Sequence, residues 1–184
     1  MGQIEMFRNI VYVLLMIIFS GSLAMGETST AADWFNRADG LWDGKKFIEV
    51  KEAMAYLDKA IEQQPNYANA YISRGMAYNQ TGDYQRAIQD YNLALLFTND
   101  ENSLTKIFDK MGVAYANLGQ YQRAINNFNH AISLKPDYAD AYNNRGIVYF
   151  LQGDKKQCCN DAQKACELKN CELLSWARER GACP

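Results

Sequence analysis

Residues 82–95 read GDYQRAIQDYNLAL, and residues 119–132 read GQYQRAINNFNHAI. A third version, GDKKQCCNDAQKAC at 153–166, keeps the small-residue positions and fills the first of them with cysteine. The register extends upstream in all three. An aromatic residue (Tyr71, Phe108, Tyr142) precedes a glycine (Gly75, Gly112, Gly146), then comes a tyrosine (Tyr78, Tyr115, Tyr149) and a second glycine (Gly82, Gly119, Gly153). Small residues follow at Ala87, Ala124 and Cys158 and at Ala94, Ala131 and Ala165, with Tyr91, Phe128 and Ala162 between them. This is one supersecondary brick written several times, because a single helix pair cannot bury its own apolar face.

The pattern resembles the tetratricopeptide repeat, a helix–turn–helix unit of about 34 residues. A degenerate first copy carries Trp34, Ala38, Leu41, Ala53, Leu57, Ala60 and Pro65, with a longer connection, DGKKFIEV. The resemblance covers about residues 31–170 and implies an all-α, right-handed superhelical solenoid. Repeats are expected at 31–65, 68–100, 105–138 and 139–170, with extra residues in LLFTNDENS between the second and third.

Each recurring residue has a physical reason. The first glycine permits close approach of two helices. The second ends helix one in the left-handed conformation. Pro65 and Pro136 stop the second helix of their units. The tyrosines fill gaps between helices and keep their hydroxyls near solvent. A final segment, KNCELLSWARERGACP at 169–184, places Leu173, Leu174, Trp176 and Ala177 at helical spacing, and residues 171–184 read as a cap over the last repeat.

At the start of the chain Arg8 precedes an apolar centre from Ile10 to Phe19, followed by Ala24-Met25-Gly26. That is the layout of a secretory signal, expected to be cleaved after Gly26, and it makes the protein an exported one. An uncleaved segment would be the only membrane attachment, although the apolar stretch is short against the roughly 20 residues of a membrane span.

All five cysteines fall near the C-terminus. In an exported chain they read as disulfides. Cys159 and Cys166 share a helix face, so an antiparallel capping helix turning near Lys169 brings Cys166 beside Cys171. It also brings Cys183 level with Cys158 or Cys159. The pairing Cys159–Cys183 is favoured because Cys158 takes a small core position. No paired C-x2-C spacing suggests zinc, so no metal or cofactor is expected.

The resemblance also implies that first-helix residues line an inner groove for an extended or helical segment of a partner protein. In register these are Phe35, Asp39, Trp42, Asn69, Ile72, Met76 and Asn79, then Lys106, Asp109, Val113, Asn143, Ile147 and Phe150. Phe35 and Ile72 stand where carboxylate-binding members of the family carry a lysine, so a carboxylate clamp is not expected. Arg74 and Arg145 share one repeat position and either grip a partner or lie over a neighbouring ring.

A net charge of -2 excludes nucleic acid as the partner class. The leading reading is an exported adaptor of the bacterial envelope that binds a protein or peptide segment. The second is a homo-oligomer, seeded by the outer face of the first repeat with Trp34 and Phe35. An enzyme is the third, prompted by the similarity of KACELKNCELL to cysteine-rich Sel1-like repeats. With His130 the sole histidine, no catalytic set assembles and no catalytic residue is assigned.

Overall fold

A computed structural model describes residues 29–184, so the expected signal, residues 1–26, lies outside the described part. Helices there pair in sequence order: α1 (Ala31–Asp39) with α2 (Val50–Gln63), and α3 (Ala68–Thr81) with α4 (Tyr84–Phe97). Next come α5 (Glu101–Asn117) with α6 (Tyr121–Leu134), α7 (Ala139–Leu151) with α8 (Lys155–Glu167), and the single helix α9 (Glu172–Glu179). The result is a helical solenoid in which each pair packs on the next.

The turns of two or three residues inside these pairs follow from the repeated glycine. Gly82, Gly119 and Gly153 have φ of 82°, 71° and 81°, the left-handed region that a side chain disfavours. The residue after each glycine donates its N–H back to a tyrosine carbonyl, Tyr78, Tyr115 or Tyr149, at 2.9 Å. That residue then opens the second helix. The Asp83 carboxylate accepts from the Arg86 N–H at 3.2 Å, and Asp154 from that of Gln157 at 3.0 Å. Gln120, in the same place before α6, makes no side-chain cap.

The first glycine of each unit is a seat for a side chain. A Cβ on Gly75 would lie 2.6 Å from the Tyr91 ring, and one on Gly112 would lie 2.5 Å from the Phe128 ring. In the last repeat Ala162 replaces the aromatic, and a Cβ on Gly146 would instead meet Leu173 of α9 at 2.5 Å. The capping helix thus supplies the side chain that the last repeat lacks. Leu173, Leu174 and Ala177 are buried there, and Trp176 meets Phe150 edge-on with centroids 4.7 Å apart. Burying a leucine is worth about 1.5–3 kcal/mol, so Leu173 and Leu174 together contribute substantially to holding α9.

Junctions between pairs take two forms. At the first and third, the Tyr71 hydroxyl donates to the Pro65 carbonyl at 3.0 Å and Tyr142 to that of Pro136 at 3.2 Å. Arg74 and Arg145 tie these junctions together. Arg74 donates to both oxygens of Asp90 at 2.8 Å and reaches Asp58 of the preceding pair at 2.8 Å. Arg145 donates to Asp161 at 2.8 and 2.7 Å and reaches Asn129. Both arginines are therefore engaged inside the fold, and each lies over a neighbouring ring, Arg74 5.6 Å from that of Tyr71 and Arg145 5.5 Å from that of Tyr142.

The middle junction has neither device. Asp100 caps α5 by accepting from the Ser103 N–H at 2.8 Å, and α5 runs for 17 residues against 14 in α3. The extra residues in this junction lengthen the helix, which begins at Glu101, four residues before the repeat boundary expected at 105.

In the first repeat the longer connection folds over the chain. Phe47 is buried, and its N–H and C=O pair with the Gln80 side chain of α3 at 2.8 and 2.7 Å. Asp43 accepts from the N–H groups of Lys45 and Lys46, both at 2.8 Å, which turns the loop at Gly44. Those bonds hold the Asp43 carboxyl below its ordinary value, the one from Lys46 most. The outer face expected to seed self-association is partly covered. Trp34 stacks on Tyr56 at 5.8 Å, with Arg37 and Lys59 over its ring, and Phe35 packs on Tyr67 at 5.2 Å.

At the C-terminus Cys159 stands opposite Cys183 with Cα atoms 5.2 Å apart, and Cys166 opposite Cys171 at 4.0 Å. Cys158 is wholly buried, and burial pushes its thiol above the ordinary value. The α8–α9 turn ends as the glycine turns do, with the Asn170 N–H donating to the Ala165 carbonyl at 2.9 Å. Here Lys169 holds the left-handed place, with φ of 72°.

Candidate functional site

The first helices of successive pairs, α1, α3, α5 and α7, line one face of the solenoid. Along it lie three hollows. The first, about 250 Å³, is walled by Phe35, Asp39 and Trp42 on one side and by Asn69, Ile72, Met76 and Lys106 on the other. The second, about 480 Å³, lies between the 42–47 loop and α5, with Trp42, Lys45, Lys46, Met76, Asn79, Gln80, Lys110 and Val113. The third, about 540 Å³, is bounded by α5, α7 and α9 through Lys110, Asp140, Asn143, Asn144, Ile147, Leu173 and Trp176. Lys110 is shared by the second and third, which therefore adjoin.

Eleven of the thirteen expected groove residues line these hollows, and two do not. Asp109 is 0% exposed. Its carboxylate accepts from Asn144 at 2.7 Å and from Lys110 at 3.0 Å, which keeps a buried charge satisfied. Phe150 is packed against Trp176 in the contact that seats α9, so it serves the cap. Ile72 and Asn143 are floor residues, with exposures of 5% and 9%; Ile147 stands open at 42%.

Sequence reasoning missed Lys110 and Asn144, and the helical period explains why. Asn69, Ser73 and Met76 line the groove in one repeat, and Lys106, Lys110 and Val113 in the next; Asp140, Asn144 and Ile147 do so in the third. This stripe follows i, i+4, i+7, the spacing of one helix face. The position one residue earlier, held by Ile72, Asp109 and Asn143, turns inward to the floor. Lys45, Lys46, Glu172 and Trp176 were missed for another reason: they come from the long loop and the cap, which repeat nothing.

The floor contains two side-chain oxygens without a hydrogen-bond partner, Asn79 Oδ1 and Asn143 Oδ1. The Asn79 amide nitrogen is committed, donating to the Tyr91 hydroxyl at 3.0 Å and to the Lys110 carbonyl at 3.3 Å. Burial raises Tyr91 well above its ordinary value and Tyr138 likewise, so both phenols stay neutral. His130 is exposed, its ring 5.1 Å from that of Phe108. No cluster of metal-ligating side chains occurs among the described residues. No helix among them is long and apolar enough to cross a membrane.

Comparison with known families agrees with this architecture. Residues 112–153 match a family described as TPR repeat, and residues 56–89 and 139–170 match two described as tetratricopeptide repeat. The chain belongs to the tetratricopeptide repeat (TPR) family. A curated relative is the Photosystem I assembly protein Ycf3 of Picosynechococcus sp., 50% identical over 95 residues. That match takes in 51% of this chain and 55% of the relative, about half of its length.

Among solved structures, MamA from Desulfovibrio magneticus RS-1 superposes with a TM-score of 0.67 at 17% identity. The match covers 94% of this chain and 98% of that one. The first TPR of Spaghetti (RPAP3), bound to the HSP90 peptide SRMEEVD, gives a TM-score of 0.60 at 19% identity, covering 69% and 96% of the two chains. At these identities the structural likeness speaks for the TPR fold.

Proposed function

We propose that this protein is a binding adaptor that holds a segment of another protein along its inner groove. The row of three adjoining hollows with unpartnered acceptors in its floor carries this reading. Unpaired buried polar atoms cost free energy that a bound main chain or side chain would recover. The solenoid is built before the partner arrives, so most of the ordering entropy falls on the partner segment. A relative named for assembly of a complex and a TPR neighbour solved with a peptide both favour a holding role over chemistry.

The adaptor works outside the cytoplasm, in the envelope, after removal of residues 1–26. The opposed cysteines suit that compartment, where Cys159–Cys183 and Cys166–Cys171 fasten the cap as disulfides. Alkylation of the denatured, unreduced protein then labels one thiol, Cys158. Labelling of all five would refute the oxidised state.

The groove itself is tested by blocking it at exposed positions. Asn69→Arg and Ile147→Arg each place a long cation in a hollow without touching the core. Capture of partners from envelope extracts should fall at least about tenfold with either variant. Undiminished capture would move the binding surface elsewhere.

A further inference from the structure

The third hollow has a chemistry of its own. Asn143 is nine-tenths buried at its floor, with its Oδ1 facing no donor. Asp140 and Glu172 stand at its walls, and among the described residues neither is in an ion pair. The Asp140 carboxylate accepts one hydrogen bond, from Asn170 at 3.3 Å, which leaves it further acceptor capacity. The single cation of the wall, Lys110, is held by buried Asp109 at 3.0 Å. Between these groups Ile147, Leu173 and Trp176 offer apolar surface.

We propose that this hollow receives a lysine or arginine side chain of the partner segment. The alkyl stem of such a residue would lie along Ile147 and the Trp176 ring while its head reaches the acceptors, as long cationic side chains do at mixed surfaces. Arg180, which is not part of the wall, already lies 4.4 Å from the Trp176 ring centroid, so this ring accommodates a guanidinium. An acidic or purely apolar side chain would leave Asn143 Oδ1 unpaired, and an acid would also face two carboxylates. The adjoining second hollow presents Lys45, Lys46 and Lys110 and no acidic residue. The groove therefore changes sign along its length and sets the direction in which a partner lies.

The inference rests on the groove-binding reading above, and one experiment separates the two. Immobilised nonapeptides with randomised flanks and lysine, arginine, norleucine or glutamate at the centre are probed with the oxidised full chain. They are probed in parallel with Asp140→Asn/Glu172→Gln and with Asn143→Leu. Lysine and arginine peptides should be retained about tenfold better than norleucine peptides, the size of one charge-assisted hydrogen bond. The double variant should bring that ratio close to one and leave norleucine peptides bound as before, which also shows that the groove stays folded. Asn143→Leu should reduce the ratio too. Equal retention of lysine and norleucine peptides, or preference for glutamate, overturns the basic-residue assignment while the groove reading stands. Retention of no peptide by the wild-type chain overturns the groove reading itself.

Discussion

The middle repeat, α5 with α6, and its neighbours on either side solve the same packing problem with different residues. The flanking first helices carry Arg74 and Arg145, each forked onto an aspartate of its own unit, Asp90 or Asp161. At these two places the middle repeat has Met111 and Asn127, and Met111 packs among apolar side chains. The flanks latch a tyrosine hydroxyl to a proline carbonyl. The middle has Phe108 and a helix lengthened at its start. Ionic staples are thus one option for joining these bricks, and an apolar side chain of matching reach is another.

That comparison is broken most sharply at Arg74. Arg74→Ala leaves Asp90 buried without its partner and should cost about 3 kcal/mol in urea unfolding. Importing the middle repeat's solution, Arg74→Met with Asp90→Asn, should return the protein to within about 1 kcal/mol of wild type. If the double variant is as unstable as the single one, the two solutions are not interchangeable.

The glycine seats come next. Gly112→Ala drives a methyl against the Phe128 ring, wedged between helices, and should cost about 2 kcal/mol. Gly146→Ala meets a methyl at the far end of the Leu173 side chain, with the Asp161 Cβ 3.2 Å away, and alanine's helix preference offsets part of the clash. Its cost should stay at or below about 1 kcal/mol. Thermal melts of the two variants side by side decide this; equal losses would mean that Leu173 is as immovable as the ring.

A smaller effect is expected at the caps. Gln120→Asp gives α6 the cap that α4 and α8 already have and should add about 1 kcal/mol. No gain in the urea midpoint would show that the α6 terminus is satisfied by other means.

The same carboxylates make stability depend on acid. Arg86 holds Asp83 below its ordinary value, and the Ser103 N–H does the same for Asp100. Their contribution is complete above the unfolded value, about pH 4, and is lost as pH falls through the lower folded value. The melting temperature should decline between about pH 4 and 2, and more steeply in Gln120→Asp than in wild type. A flat profile would contradict these caps.

Most of the fold could be read from the chain because the repeat is local. Gly82, Gly119 and Gly153 announce their turns, whereas Gly75 and Gly112, read as points of close helix approach, prove to seat the rings of Tyr91 and Phe128. The groove was legible to the extent that it obeys the repeat: Met76, Val113 and Ile147 recur and line it. Asp109 misled because a charged residue at an apparent groove position proved able to bury itself, held by its neighbour Lys110 and, across helices, by Asn144, a contact that no local pattern records. The seat of Leu173 on Gly146 was equally hidden, since only the three-dimensional stacking shows that the cap replaces the aromatic missing at Ala162. Lys45 and Lys46 reach the groove through a loop whose length was visible and whose path was not.

The central claim is that the inner face, and not the outer one, carries the partner. Photo-crosslinking in the cells that make the protein tests it directly, with the reactive side chain placed at Met76 or Ile147 in the groove and at exposed Leu96 on α4 as control. The account predicts one dominant partner adduct from both groove positions and none from Leu96. Adducts from Leu96 with none from Met76 or Ile147 would contradict it.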